Sequence, residues 1–398
     1  MEYAKYFLDD LGVVAEVAAF EMGGRGVTEW HVMLHGTSAT ADYATQWQAL
    51  QEARSRLTTE VLQGATEHAV RVFCSDIVNQ QSAGNLELRN SGIQEFGNSG
   101  AQEVQKSRNP EVQKSRTEGA ASIVGQPPLD GTKVAMWVYL SSEPSLEHNG
   151  YRHLLHTNMA VTRGDSYNQT QTLMEDYTFM LRREGLRLRD GCVRTWFFVR
   201  DVDSQYAGMV QARRDIFRRE GLTSDTHYIA STGIGGTPAD TRSIVQMDAY
   251  AVAGLEAGQQ RYLYAPTHLN RTSEYGVTFE RGTEVQYGDR SHVFISGTAS
   301  IDNRGEVLHV GDIVGQTNRM LENVEQLLAE AETGMTDVAV AICYLRDMTD
   351  HDVVRPLLEA RMLGVPLVIT WAPVCRPAWL IEMECIAIGQ KQSDYRPL

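Results

Sequence analysis

The sequence predicts an α+β protein built as two tandem units, each a β-sheet carrying two helices, with the first unit degenerate. Three observations lead there: a long internal duplication, apolar residues at helical spacing ahead of each copy, and a hairpin signal in the second copy.

The duplication pairs Val193-Arg-Thr-Trp-Phe-Phe-Val-Arg-Asp, a helical stretch and Ser243-Ile-Val-Gln-Met-Asp-Ala-Tyr-Ala-Val with Val338-Ala-Val-Ala-Ile-Cys-Tyr-Leu-Arg-Asp, a helix and Leu380-Ile-Glu-Met-Glu-Cys-Ile-Ala-Ile. Both copies read strand, helix, strand. Ahead of them lie Thr170-Gln-Thr-Leu-Met-Glu-Asp-Tyr-Thr-Phe-Met-Leu and Gln316-Thr-Asn-Arg-Met-Leu-Glu-Asn-Val-Glu-Gln-Leu-Leu, whose apolar positions share one helical face. Each follows a short strand. In the second copy it is His292-Val-Phe-Ile-Ser-Gly, followed by the hairpin turn Asp302-Asn-Arg-Gly. The expected division is an N-terminal domain over residues 1–256, holding the degenerate unit, and a C-terminal domain over 257–398.

Between residues 88 and 130 the composition turns to Gly, Ser, Asn, Gln, Lys and Glu, with an eight-residue tandem pattern. Asn90-Ser-Gly-Ile-Gln-Glu recurs at Asn98, and Glu103-Val-Gln-Lys-Ser-Arg recurs at Glu111. So few apolar groups cannot offset the entropy of ordering, and a mobile insertion is expected there.

With 398 residues, 42% of them hydrophobic, the chain can bury more than one core. The acidic opening Met1-Glu-Tyr-Ala-Lys-Tyr-Phe-Leu-Asp-Asp lacks the basic start of a signal peptide, and no apolar run reaches a spanning length, so a soluble, unsecreted protein is expected. Cys74, Cys192, Cys343, Cys375 and Cys385 are scattered, odd in number and free of any C-x-x-C pair. That argues against a disulfide framework or zinc knuckle and for a reducing cytoplasm. A net charge of -15 argues against nucleic acid or acidic membranes as partners, whereas a small anion needs only a few local arginines. His31 and His35, like His153 and His156, have no third ligand at a recognisable spacing and are read as structural; neither a metal nor another cofactor is expected.

Aligning the copies sets Gln246 in Val-Gln-Met-Asp opposite Glu382 in Ile-Glu-Met-Glu. A strand carboxylate between apolar neighbours is costly to desolvate unless something uses it, so Glu382 is the candidate catalytic acid. The Gly-rich Ser231-Thr-Gly-Ile-Gly-Gly lacks the G-K-[ST] ending and the G-x-G-x-x-G spacing of phosphate loops. Either it is a turn whose amides and Thr232 hydroxyl line an interdomain cleft, or it is a plain tight turn.

The second copy resembles a RidA/YjgF-like domain, a chorismate-mutase-like fold, over essentially its whole length. The resemblance rests on Phe294-Ile-Ser-Gly, Gln316 with Leu321-Glu-Asn-Val-Glu-Gln-Leu-Leu, Tyr344-Leu-Arg-Asp and Ile381-Glu-Met-Glu-Cys-Ile-Ala. A degenerate copy joined to a complete one, with Ala230-Ser-Thr-Gly-Ile-Gly-Gly between, resembles the chorismatase family, as do Ala265-Pro-Thr-His and Glu274-Tyr-Gly-Val-Thr-Phe-Glu-Arg-Gly. The match covers roughly residues 131 to 398.

That resemblance implies cleavage of the enolpyruvyl ether of chorismate, giving pyruvate and either 3-hydroxybenzoate or a dihydroxycyclohexadiene carboxylate. It implies a ligand cleft holding Glu382 as general acid, with Arg281 and Arg355 as carboxylate forks, since Arg binds carboxylates bidentately and keeps its charge. Tyr275 and Ser296 are expected as hydrogen-bond donors and Gly297 as a point of close backbone approach. Cys375 is expected to govern water access, in the manner of the hydroxybenzoate-forming type. RidA-like trimers suggest a homotrimer with intersubunit clefts. Two other readings stand beside this one: an imine deaminase, weakened because Pro366-Leu-Val-Ile-Thr lacks the arginine of that family, and a metabolite-binding module without catalysis.

Overall fold

The computed structural model describes residues 1–23, 26–82 and 120–398. Its strands form three sheets. The first contains β1 (Glu2–Leu8), β2 (Val13–Phe20), β3 (Glu29–Gly36), β4 (Thr66–Cys74), β5 (Ala120–Gly125) and β6 (Val134–Ser141). Their spatial order is β1-β2-β3-β6-β4-β5. The second contains β7 (Glu147–His148), β8 (Tyr151–Ala160), β9 (Cys192–Val199), β10 (Ala230–Gly235) and β11 (Val245–Ala253), in the order β10-β9-β11-β8-β7. The third contains β12 (Gln260–Leu263), β13 (Gly282–Gln286), β14 (Arg290–Ala299), β15 (Val338–Leu345), β16 (Leu367–Trp371) and β17 (Ile381–Gln390), in the order β12-β13-β14-β17-β15-β16.

The first and third sheets have the same strand order, and the second has it without the first edge strand. The tandem α+β arrangement read from the duplication is therefore present, and it extends to one further unit at the N-terminus. In the first and third units the last strand lies between the third and fourth, and in the second unit β11 lies between β8 and β9, antiparallel to both in each case; β4, β9 and β15 pair in parallel with an edge strand through a crossover. Helices Ser166–Arg183 and Val202–Arg219 cover the second sheet, and Ile313–Glu330 and His351–Arg361 cover the third. Each of the four buries one apolar stripe, such as Met320, Leu321, Val324, Leu327 and Leu328 of Ile313–Glu330. None of the helices among the described residues is long and apolar enough to cross a membrane.

The units pack cyclically. Strand β5 lies against β8, β10 against β14, and β15 against β3 and β2. The largest apolar core takes side chains from all three sheets, including Met33, Phe73, Trp196, Tyr250, Phe294 and Cys385.

Two expectations need correction. Residues 88–119 of the low-complexity stretch lie outside the described residues, but Ala120–Gly125 is a strand paired in parallel with β4. Its Ala121, Ser122, Ile123 and Val124 are buried, so residues 120–125 belong to the first sheet and not to an insertion. Ser231-Thr-Gly-Ile-Gly is likewise not a turn. It is β10, paired in parallel with β9, and Gly233 lets the Tyr206 ring lie where a Cβ would sit 2.9 Å from its Cε2.

Candidate active site

Strand register makes the last strands of the units comparable position by position. Ile381 pairs with Leu345, Val245 with Val199 and Val134 with Cys74. Counting on by one gives Glu382, Gln246 and Ala135, and by three gives Glu384, Asp248 and Trp137. Of the first set only Glu382 carries a carboxyl. Gln246 donates its amide to Ile123 O at 3.1 Å, closing the contact between the first and second units.

Glu382 opens instead onto a cleft of about 500 Å³, a volume that includes space open to solvent, between the second and third units. The second unit supplies Tyr206, Arg213, Ser231 and Gly233; the third supplies Arg281, Gly297, Cys375, Arg376, Trp379 and Glu382, with Phe279 and Val277 from the preceding loop. Glu382 itself is only 4% exposed. Burial raises its carboxyl to about 8; the neighbouring Glu384 charge adds to that shift, while Arg194 and Arg281 oppose it. Gly297 sits where β14 departs from regular register against β17, and a Cβ there would overlap Glu382 Oε1. The glycine is therefore what admits the carboxyl.

Arg281 lines the cleft, braced by Asn270, whose backbone oxygen accepts from Nε at 3.3 Å and whose Oδ1 accepts from Nη2 at 3.0 Å. Its guanidinium lies 5.6 Å from the Phe279 ring centre. Arg213 comes from the opposite unit, donating to Ser231 Oγ at 3.2 Å and to Thr278 Oγ1 at 3.4 Å. Arg376 lies over the Trp379 ring at 5.1 Å. The Cys375 thiol hydrogen-bonds the Tyr206 hydroxyl, and burial, reinforced by the Glu382 charge, pushes it up to about 12. At neutral pH it is a thiol and not a thiolate nucleophile.

The predicted residues thus divide. Glu382, Gly297, Cys375 and Arg281 meet in one cleft. Thr232 lies behind it: its Oγ1 accepts from Gly297 N at 2.9 Å and from Arg194 Nη2 at 2.5 Å, and donates to Glu384. Ser296 is not brought to the cleft, because its hydroxyl donates to Glu280 O at 2.6 Å and accepts from Ser231 N at 2.9 Å. Both capacities are used in joining β14 to its neighbours. Arg355 is also elsewhere. It lies within helix His351–Arg361, 43% exposed, paired to Glu359 Oε1 at 2.8 Å, at a different cleft with Tyr3, Glu16 and His35. The backbone of Tyr275 belongs to the short helix Thr272–Tyr275, and its side chain lies outside the described residues.

Sequence reasoning missed Tyr206, Arg213 and the charges behind the cleft. Arg213 had a signal, being an arginine at a buried position between Met209 and Ile216 on the apolar face of helix Val202–Arg219. Arg194 had one too, as a charged residue inside the fully buried strand β9.

The family described as Endoribonuclease L-PSP matches residues 284–389, which contain β14, β15, β16 and Glu382. A RutC family protein of Pyrococcus abyssi is 33% identical over 101 residues, 24% of this chain and 76% of that protein. A 3-hydroxybenzoate synthase of Streptomyces hygroscopicus is 25% identical over 221 residues, 49% of this chain; the aligned part spans 63% of the synthase. A crystal structure of a chorismatase shares the fold with a TM-score of 0.59 at 18% identity, covering 83% of this chain and 95% of that one. The class is thus a tandem array of RidA/YjgF-like units. Through its last unit the chain belongs to the RutC family of RidA/YjgF-like domains, and over most of its length it shares its fold with a chorismatase.

Proposed function

We propose that the cleft between the second and third units binds chorismate, and that Glu382 protonates the methylene carbon of its enolpyruvyl group. The observation that carries this reading is a buried carboxyl, titrating at about 8, in one cleft with Arg213 and Arg281. Breaking an enol ether through carbon protonation needs a general acid that still holds its proton near neutral pH. A free glutamic acid does not, whereas one titrating at about 8 is mostly protonated at pH 7. Two carboxylates on the substrate match two guanidinium forks on opposite walls.

Proton transfer from Glu382 to the methylene leaves an oxocarbenium ion. Toward 3-hydroxybenzoate, the ring's 4-hydroxyl oxygen attacks C3 as the C3–O bond breaks, pyruvate leaves with that electron pair, the hydroxyl proton returns to the Glu382 carboxylate, and the resulting arene oxide isomerises to 3-hydroxybenzoate. Toward the diene acid, water adds to the oxocarbenium carbon and the hemiketal collapses to pyruvate, leaving the ether oxygen on the ring. Pyruvate and 3-hydroxybenzoate together hold the atoms of chorismate, whereas a dihydroxy diene acid holds one water more. Cys375, a neutral thiol bonded to Tyr206, stands in the cleft where it would restrict water, which favours 3-hydroxybenzoate. The match to a 3-hydroxybenzoate synthase supports the same product.

The test is to incubate the protein with chorismate, with 2-iminopropionate or with neither, follow pyruvate, and chromatograph the products beside authentic 3-hydroxybenzoate. Pyruvate from chorismate with 3-hydroxybenzoate is the expected result. Turnover of the imine alone would replace this reading with an imine deaminase. Inactivity toward both would replace it with metabolite binding.

A further inference from the structure

Behind the cleft, four charged side chains from all three units are packed out of solvent. Glu384 stands two residues from Glu382 on β17 and so faces the same side of the sheet. Its Oε2 accepts from Arg194 Nη2 at 2.6 Å and from the Thr232 hydroxyl, and its Oε1 accepts from Trp196 Nε1 at 2.8 Å. Arg71 of the first unit approaches Oε1 at 3.5 Å and donates to Asp248 Oδ2 at 3.0 Å. Its guanidinium lies 4.7 Å from the Trp196 ring centre. Two cations therefore balance two anions, and Thr232 links Glu384 to the Gly297 amide at the point where the glycine backbone meets the Glu382 carboxyl. Glu384 is not among the residues lining the cleft, so it does not act on a ligand directly.

We propose that Glu384 is a positioning residue for Glu382, a fixed negative charge held by Arg194, Trp196 and Thr232, reached by Arg71, that keeps the proton on Glu382 before a ligand arrives. The inference rests on reading Glu382 as the proton donor. It gives the first unit a part in the chemistry, because Arg71 moderates the field that Glu384 projects. The charged and titratable groups facing Glu382 are Glu384 on its own strand, Cys343 on β15, Arg194 on β9 and Tyr206 and Arg213 on helix Val202–Arg219. Arg281, Cys375 and Arg376 complete them from the loops of the third unit. Among these, Glu384 is the group whose charge adds to burial in retaining the proton on Glu382, whereas Arg194 and Arg281 favour its loss.

A purely structural role for the cluster would leave the titration of Glu382 unmoved, and that is what the experiment reads. The full chain, without ligand, is titrated by infrared difference spectroscopy against Glu382→Gln, which isolates the acid carbonyl band of Glu382. The band should persist to about pH 8 in the parent protein. In Glu384→Gln its disappearance should move down by about one pH unit or more, and in Glu384→Asp it should stay near the parent's position. Arg71→Met should move it upward, because a moderating cation is removed. An unmoved band in Glu384→Gln overturns the proposal. Should that variant not fold, with two guanidiniums left short of a partner, Arg71→Met decides, and an unmoved or lowered band there overturns it equally. Because no chorismate is present, failure of chorismate turnover would sink the proposed function without touching this result.

Discussion

Strands β11 and β17 occupy the same place in their sheets, in the same register, yet one closes an interface and the other opens a cleft. Gln246 uses its amide as a donor to the backbone of β5, and the first and second units meet tightly there. Glu382 is held in place by a missing side chain, at Gly297, and faces residues from two units. An internal array frees equivalent positions to differ, which identical subunits around an axis could not do. The sharpest way to break the comparison is Glu382→Gln, which copies β11 into β17. Turnover of chorismate should fall by about 10² to 10⁴-fold or more, with binding still measurable by calorimetry. Full activity in that variant would remove Glu382 as the acid.

Gly297→Ala tests the same contrast from the other side. The added Cβ overlaps Glu382 Oε1, so the carboxyl has to turn away from its present position. Displacements of this size cost about 10²-fold in rate when the group reacts directly. The expected outcome is a loss of that order in kcat, with the folded protein retained on a melting curve. An unchanged kcat would mean that the position of the carboxyl is not critical.

The raised titration of Glu382 also has a consequence for stability. The folded group takes up its proton at about 8 against 4.5 when free, so between those values the native state binds more protons than the unfolded chain. Stability therefore falls as pH rises through that window, and above it the buried charge costs its full amount. Glu382→Gln removes the cost. Its gain over the parent protein should be absent below about pH 4.5 and grow to on the order of 5 kcal/mol above pH 8. Urea denaturation at pH 4 and pH 9 measures it; equal differences at both would contradict a burial-raised acid.

Much of the second and third units was legible because their strands repeat nearly residue for residue, and a repeated pattern survives uncertainty in each element. Val-Gln-Met-Asp against Ile-Glu-Met-Glu located the buried carboxyl of the cleft without any structure. The first unit was not legible. Its last strand, Val-Ala-Met-Trp-Val-Tyr, keeps the apolar alternation of the other two but neither polar residue, so nothing marked it as a third copy. The low-complexity stretch inside its crossover further hid β5. Arg71, His-Ala-Val-Arg-Val-Phe in β4, carried the same warning as Glu382, a charge in a buried strand, but its partners Asp248 and Glu384 lie far away in the chain. Charge pairing across units is a property of the assembled core, which no local pattern encodes.

Arg355 shows the opposite failure, a residue whose sequence position promised a role that its surroundings do not support. The third unit's own helix His351–Arg361 points toward the first unit, and so Arg355 borders the cleft with Tyr3, Glu16 and His35 and not the one with Glu382. Its cation is already paired one helical turn along, to Glu359, and both partners are well exposed. Such pairs are screened by solvent and contribute about 0.3 to 0.5 kcal/mol. Arg355→Ala is accordingly expected to leave chorismate turnover within about twofold of the parent protein and stability within about 0.5 kcal/mol. A steady-state assay beside Arg281→Ala reads the difference directly. If Arg355→Ala weakened chorismate binding as much as Arg281→Ala, the ligand would have to occupy the cleft between the third and first units, and the assignment of Glu382 would go with it.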